Sequence, residues 1–202
     1  MLPLLLAGPR RTVETAFGAI PLEYGFRTWW WRTERCVEIA IAKHVLNGRE
    51  ASSVLEVGNV LALAGVAGHA VVDKYEPGPG VLNVDIIDFQ PARRYDIAVS
   101  ISTLEHVGFD EHPQDPEKAT VALAHLAGLA DQLLVTIPVG YNREFDGRFV
   151  EGPFDVVELL VKTSRLGRWE SRPIEQAASI RYGSPYSCGN AVLVGSRGLS
   201  RA

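Results

Sequence analysis

The chain has 202 residues, 47% hydrophobic and 22% charged, the balance of an ordinary globular protein long enough to bury one sizeable core. A formal net charge of −4 gives no basic footprint for non-specific nucleic-acid binding, and no apolar run is long enough to span a membrane. The two cysteines, Cys36 and Cys188, form neither a disulfide framework nor a metal cluster and read as reduced thiols of a cytoplasmic protein.

Met1 to Ala7 is apolar but lacks the basic start and the length of a secretory signal core. Pro9 to Pro21 shows no clear period and reads as irregular. Thr28 is a capping residue for a helix running to about Leu46, where Asn47-Gly48 is a stop signal. Trp30, Val37, Ile41, His44 and Val45 fall near one face of that helix. Trp29, Trp30 and Trp31 either pack on a sheet or cover a ligand as an aromatic lid.

Beyond residue 50 the chain alternates strands and connections. Strands are expected at Val54–Val57, His69–Lys74, Val81–Phe89, Tyr95–His106 and Leu133–Gly140, with a helix from Asp115 to Ala130 opened by Pro116. Tyr141 to Gly152 reads as a polar loop and Phe154 to Lys162 as a helix; Trp169–Ile174 and Ala191–Ser196 read as two late strands. Alternating βα units followed by a late strand pair indicate one α/β domain. Residues 1–50 form an N-terminal segment and cap helix packed on a main unit spanning 51–202.

Acidic residues recur at the ends of successive expected strands: Glu56 ahead of Gly58, then Asp73, then Asp85 with Asp88 three residues on. Ligands of open parallel α/β sheets collect at that edge. Glu56-Val57-Gly58, Asp73, Asp85 and the run Ser102-Thr103-Leu104-Glu105-His106-Val107, in this order and spacing, resemble class I S-adenosylmethionine-dependent methyltransferases over about Ser53 to Gly140. The resemblance implies a Rossmann-like, seven-stranded, mostly parallel sheet with helices on both faces and a late antiparallel strand near Ala191 to Ser196.

It also implies a cofactor site for S-adenosylmethionine built from Glu56, Gly58, Asn59, Asp73, Lys74, Asp85, Ile86, Ser102 and Thr103. Gly58 lets the backbone approach the methionyl end. Glu56 accepts from the ligand ammonium or fixes the turn. Asp73 offers two oxygens to the ribose hydroxyls. Asp85 accepts from the adenine amine with Ile86 in apolar contact, and Asp88 competes for that role. Each acid also has a plain local reading as a cap or turn residue. The first loop reads Gly58-Asn59-Val60-Leu61-Ala62 and keeps one glycine where the family often has three. It equally lacks the G-x-G-x-x-G set of nicotinamide dinucleotide enzymes, and no P-loop is present.

His106, Asp110, Glu111, His112 and Asp115 cluster within ten positions. His106 is the candidate general base, since an imidazole suits proton transfer near neutral pH. The alternatives are a divalent-metal site, for which no specific ligand spacing is met, and a solvated loop. Trp30, Trp31, His106 and Tyr141 are the candidate acceptor-side residues. The expected reaction is methyl transfer to an oxygen or nitrogen of a small-molecule or sugar-containing acceptor, with no nucleic-acid partner. The rivals are a catalytically silent binding or assembly module that keeps the fold and, further off, a nucleotide-cofactor oxidoreductase.

Overall fold

The computed structural model describes residues 11–23 and 33–200. A hairpin of β1 (Thr12–Thr15) and β2 (Gly18–Pro21) comes first, then helix α1 (Arg35–Leu46). The central sheet is made from β3 (Val54–Val57), β4 (Ala70–Val72), β5 (Val81–Leu82), β6 (Tyr95–Ile101), β7 (Ala130–Pro138), β8 (Val156–Lys162), β9 (Trp169–Arg172) and β10 (Ala191–Arg197). Helices α2 (Lys118–Leu129) and α3 (Arg143–Val150) flank β7 in the chain.

The spatial order is β5-β4-β3-β6-β7-β10-β8-β9. The first five run parallel; β10 is antiparallel to both β7 and β8, and β9 is antiparallel to β8. The chain therefore starts in the middle at β3, winds outward to β5, and returns to the other side at β6. That reversal between β3 and β6 is the switch point where doubly wound sheets bind ligands.

Alternation along the strands splits the core into two layers. Ile97, Val99 and Ile101 of β6 pack with Cys36, Val37, Ile39 and Ile41 of α1 on one face. Leu55, Ala98, Leu133 and Val135 pack with Leu123 and Leu126 of α2 and Phe145 and Phe149 of α3 on the other. Helices thus cover both faces. Cys36 and Cys188 are free thiols, and burial pushes the Cys36 thiol up to about 12.

Among the described residues the sheet has eight strands rather than seven, the extra one being the short antiparallel edge β9. Of the stretch Pro9 to Pro21, expected to be irregular, the described residues from Arg11 onward form a hairpin: Val13 and Ile20 face each other across β1 and β2 and are buried. The stretch Phe154 to Lys162, expected as a helix, holds the strand β8 from Val156 onward. A short apolar run is ambiguous by period, and Val156, Val157 and Val161 favour the extended state once Leu160 can pair with Val192 of β10. Tyr141 to Gly152 contains α3 rather than a polar loop. The Asn142 side chain caps it by accepting from the Phe145 amide at 3.1 Å, and Phe145 and Phe149, four apart, bury one face.

The third expected strand is only Val81–Leu82; Asp85 then caps a single 3₁₀ turn, Ile86–Asp88. β6 stops at Ile101, and Leu104–His106 form another such turn. The described part of the N-terminal helix begins at Arg35, and α2 begins at Lys118 rather than at Asp115. Thr28, Trp30 and Trp31 lie outside the described residues.

Candidate functional site

The carboxyl ends of β3, β4 and β6 open onto a cavity of about 400 Å³, in the size range of small-molecule sites. Gly58, Asn59, Asp73, Lys74, Asp85, Ile86, Ser102, Thr103 and His106 all line it, together with Arg35, Tyr75, Asp110 and Glu111. Glu56 does not. It is fully buried, and its Oε1 accepts from the Val60 and Leu61 amides at 2.8 Å each while Oε2 lies 2.7 Å from His69 Nε2. Glu56 shapes the first loop from beneath.

Asp73 Oδ1 accepts from the Tyr75 and Glu76 amides at 2.9 and 2.8 Å, which fixes the carboxylate at the cavity wall. Asp85 is more heavily engaged. Its Oδ2 lies 2.9 Å from Lys74 Nζ and 2.7 Å from Lys118 Nζ, and both lysines also reach Glu111. Burial pushes the Asp85 carboxyl up, but the two ammonium groups outweigh it and hold it below its ordinary value. The four charges tie the loop carrying Glu111 to the start of α2 and to the strand ends. Asp88 is exposed and does not line the cavity.

On the opposite wall α1 is pinned to the ends of β6 and β7. Ser102 and Thr136 hydroxyls donate to Glu38 Oε1, and Arg35 donates to Glu38 Oε2 at 3.1 Å and to the Ile101 carbonyl at 3.2 Å. Burial pushes Glu38 up and Arg35 opposes it. Ser102 takes a φ of +40°, in the region non-glycine residues seldom occupy. The strain sits where the chain leaves β6 for the cavity.

His106 stands at the mouth. Its Nδ1 lies 2.5 Å from Asp110 Oδ2, which also accepts from the Tyr141 hydroxyl at 2.8 Å. Burial pushes Asp110 up, but the His106 and Tyr141 bonds prevail and hold it below its ordinary value. Tyr141 packs edge-on against His106, with ring centroids 4.6 Å apart. It lines a neighbouring cavity of about 490 Å³ with Phe109, Gln114 and Arg143 rather than the first cavity. Glu105 Oε1 lies 3.6 Å from His106 Nε2. Among the described residues no group of three or more His, Cys, Asp or Glu is placed to hold a metal ion.

No protein-family model and no curated protein matches the chain. Solved structures do. It is similar to magnesium protoporphyrin IX methyltransferase (ChlM) from Synechocystis PCC 6803 with bound SAM, at 16% identity over 78% of this chain and 74% of that one, with a TM-score of 0.42. It is similar to N-methyltransferase NodS from Bradyrhizobium japonicum WM9 in complex with S-adenosyl-L-homocysteine, at 12% identity over 82% and 88%, TM-score 0.48. It is also similar to the 16S rRNA methylase RmtB, at 14% identity over 81% and 63%, TM-score 0.42. The strand order decides what these likenesses leave open: five parallel strands wound outward from β3 and back, then an antiparallel β10 inserted between β7 and β8. The chain has the class I methyltransferase fold.

Within that fold most of the residues expected at the strand ends converge on one cavity. Sequence reasoning missed Arg35, which lines the cavity from the first residue of α1, off the apolar stripe that marks this helix in the sequence. It also missed Lys118, three residues past the helix start expected at Asp115. In the sequence Asp110 stands out only as one member of the His106–Asp115 cluster. Its spacing of four from His106 across a turn was the available signal.

Proposed function

We propose that the protein transfers a methyl group from S-adenosylmethionine to an oxygen or nitrogen of a small-molecule or sugar-containing acceptor. The observation that carries this reading is the cavity at the switch point, where Gly58, Asp73, Asp85–Ile86 and Ser102–Thr103 meet. The donor set fits the cofactor. Asp73 has one oxygen held by two amides, which leaves the other to accept from a ligand's hydroxyl pair. Ile86 is buried next to Asp85 and offers an apolar wall to a purine. When bound, S-adenosylmethionine supplies a methyl group on a positively charged sulfur.

This chain's residues then position and deprotonate the acceptor. Asp110 holds His106 through Nδ1, which favours the tautomer whose Nε2 carries the free lone pair. Nε2 takes the acceptor's proton, and Tyr141 keeps Asp110 in place. Among the residues lining the cavity, Asp73, Glu76, Asp85, Asp110 and Glu111 outnumber the cations Arg35 and Lys74, which supports an acceptor other than phosphate-rich nucleic acid. Calorimetry tests the reading: S-adenosylmethionine and its demethylated product bind, and NAD does not. Binding of NAD with none of S-adenosylmethionine would overturn it.

A further inference from the structure

We infer that Lys118 is a positioning residue for the cofactor: from the first residue of α2 it holds Asp85 so that this carboxylate reads the exocyclic amine of the adenine. This deepens the methyltransferase reading and rests on it. Asp85 and Ile86 line the first cavity, together with Lys74 and Glu111, whereas Lys118 does not. Lys118 therefore acts through Asp85 rather than on a ligand.

The bonds divide the two oxygens of Asp85. Oδ2 accepts from Lys118 Nζ at 2.7 Å and lies 2.9 Å from Lys74 Nζ. Among the described residues Oδ1 accepts from the Ile87 amide alone, at 3.3 Å. Two ammonium groups on one oxygen fix the plane of the carboxylate and leave Oδ1 a lone pair for a ligand's N–H. An adenine amine is such a donor, and the buried Ile86 beside it offers the base an apolar wall. Lys118 is itself held. Its Nζ lies 2.5 Å from Glu111 Oε2, and its side chain is 13% exposed. A Cβ on Gly108 (φ +73°) would stand 2.7 Å from the Lys118 Cβ, so the loop ahead of α2 packs directly on the lysine stem. Helix α2 grips the same turn a second time, where His125 Nε2 lies 2.9 Å from the Phe89 carbonyl oxygen. The turn Ile86–Asp88 sits between these two anchors.

The two lysines are not equivalent. Lys74 has 36% of its side chain exposed, so solvent screens its charge more than that of Lys118. Burial works against the Lys118 charge, but Asp85 and Glu111 outweigh it and hold the ammonium above its ordinary value. Without Lys118, Asp85 keeps the more exposed Lys74, on a flexible four-carbon stem. The carboxylate then turns about its soft terminal bond, and Oδ1 no longer keeps one direction.

The test compares, by calorimetry, S-adenosylhomocysteine with its purine analogue, in which hydrogen replaces the exocyclic amine. The parent is expected to prefer S-adenosylhomocysteine by about tenfold or more, as for a hydrogen bond to a charged acceptor. In Lys118→Met and Lys118→Gln the preference should fall to about threefold or less. Lys118→Arg, which keeps a cation, should restore most of it. A lysine that only braced the fold would weaken both ligands alike and leave their ratio unchanged. That result, in whichever variant folds, overturns the inference. So does equal binding of the two ligands by the parent, a measurement that needs no variant. If the parent binds both alike, only the roles of Asp85 and Lys118 fail; if it binds neither, the methyltransferase reading itself fails.

Discussion

A Cβ placed on Gly58 would stand 2.1 Å from the Thr103 hydroxyl oxygen. Gly58 directly follows β3 and Thr103 lies just past β6, so the two strand ends on either side of the switch point touch through a missing side chain. Gly58 also has φ +87° and donates its amide to the Val72 carbonyl at 2.9 Å. The one glycine kept in the first loop therefore serves the packing of three strand ends as well as any ligand above them. Gly58→Ala should destabilise the fold by about 1–3 kcal/mol, read from urea unfolding. Adding Thr103→Ala removes the hydroxyl and the methyl that collide, so the double variant should recover part of the loss. The remainder measures the cost of the positive φ. Full additivity of the two changes would show that the contact is not what demands glycine.

Asp73 makes the second test. Its Oδ1 is taken by the Tyr75 and Glu76 amides, so the carboxylate is presented to the cavity in one orientation. Asp73→Ala should cost about 1.5–3 kcal/mol of S-adenosylmethionine binding, as for a hydrogen bond to a charged acceptor. Asp88→Ala should cost less than Asp85→Ala, because Asp88 is exposed and outside the cavity. Calorimetry on the three variants, each shown to fold, checks the order. A fully folded Asp73→Ala protein that binds as the parent does would remove Asp73 from the site.

The strand ends were legible because a parallel sheet writes itself into the sequence as short apolar runs closed by a polar residue. Val54–Val57 shows this with its boundaries matched to the residue. What the sequence could not convey was which partner each strand-end acid would choose. Glu56 looked equally able to meet a ligand or to fix a turn, and His69 with the Val60 and Leu61 amides takes both its oxygens. Asp85 looked free until Lys118, thirty-three residues away in sequence, reached it. The misread elements share one cause. In Val156–Lys162 and Arg143–Val150 local pattern was ambiguous, and the pairing with β10 or the cap at Asn142 decided the outcome.

Asp146 contributes a pH dependence that can be isolated by substitution. Its Oδ2 accepts from the Gly140 amide at 2.7 Å, while Oδ1 is buried without a partner. Burial pushes its carboxyl from 3.8 up to about 6, against the pull of that amide. The folded state thus binds this proton more tightly than the unfolded chain does. The stability it confers is present at low pH and is lost as pH rises from about 4 to about 6, to an extent of about 2–3 kcal/mol. Asp146→Asn keeps an oxygen for the Gly140 amide and cannot ionise. Unfolding of both proteins at about pH 4.5 and about pH 7.5 should show the variant gaining on the parent at the higher pH. An equal difference at both pH values would place the titration elsewhere.

His106 is the base in the proposed reaction. It is held by Asp110 at 2.5 Å through Nδ1, with Tyr141 clamping the same carboxylate oxygen at 2.8 Å. Asp110 sits below its ordinary range and so stays ionised through neutral pH. A general base in place contributes roughly 10²–10⁴-fold. His106→Ala should lower kcat by about that factor while leaving S-adenosylmethionine affinity within about 1 kcal/mol. Asp110→Asn should lower kcat by less, because the ring remains but its tautomer is no longer enforced. Activity of the parent should fall on the acid side, where the protonated ring cannot accept, and His106→Ala should lack that limb. A ring that only braced the loop would instead lower thermal stability and weaken every ligand together. A metal at the cluster would make activity sensitive to a chelator and restorable by Mg²⁺ or Mn²⁺. The deciding measurement is the pH dependence of kcat for parent and His106→Ala at saturating cofactor, with and without chelator. Equal kcat and an equal acid limb in the two proteins would show that His106 is not the base and that rate rests on the positioning of acceptor and methyl group alone.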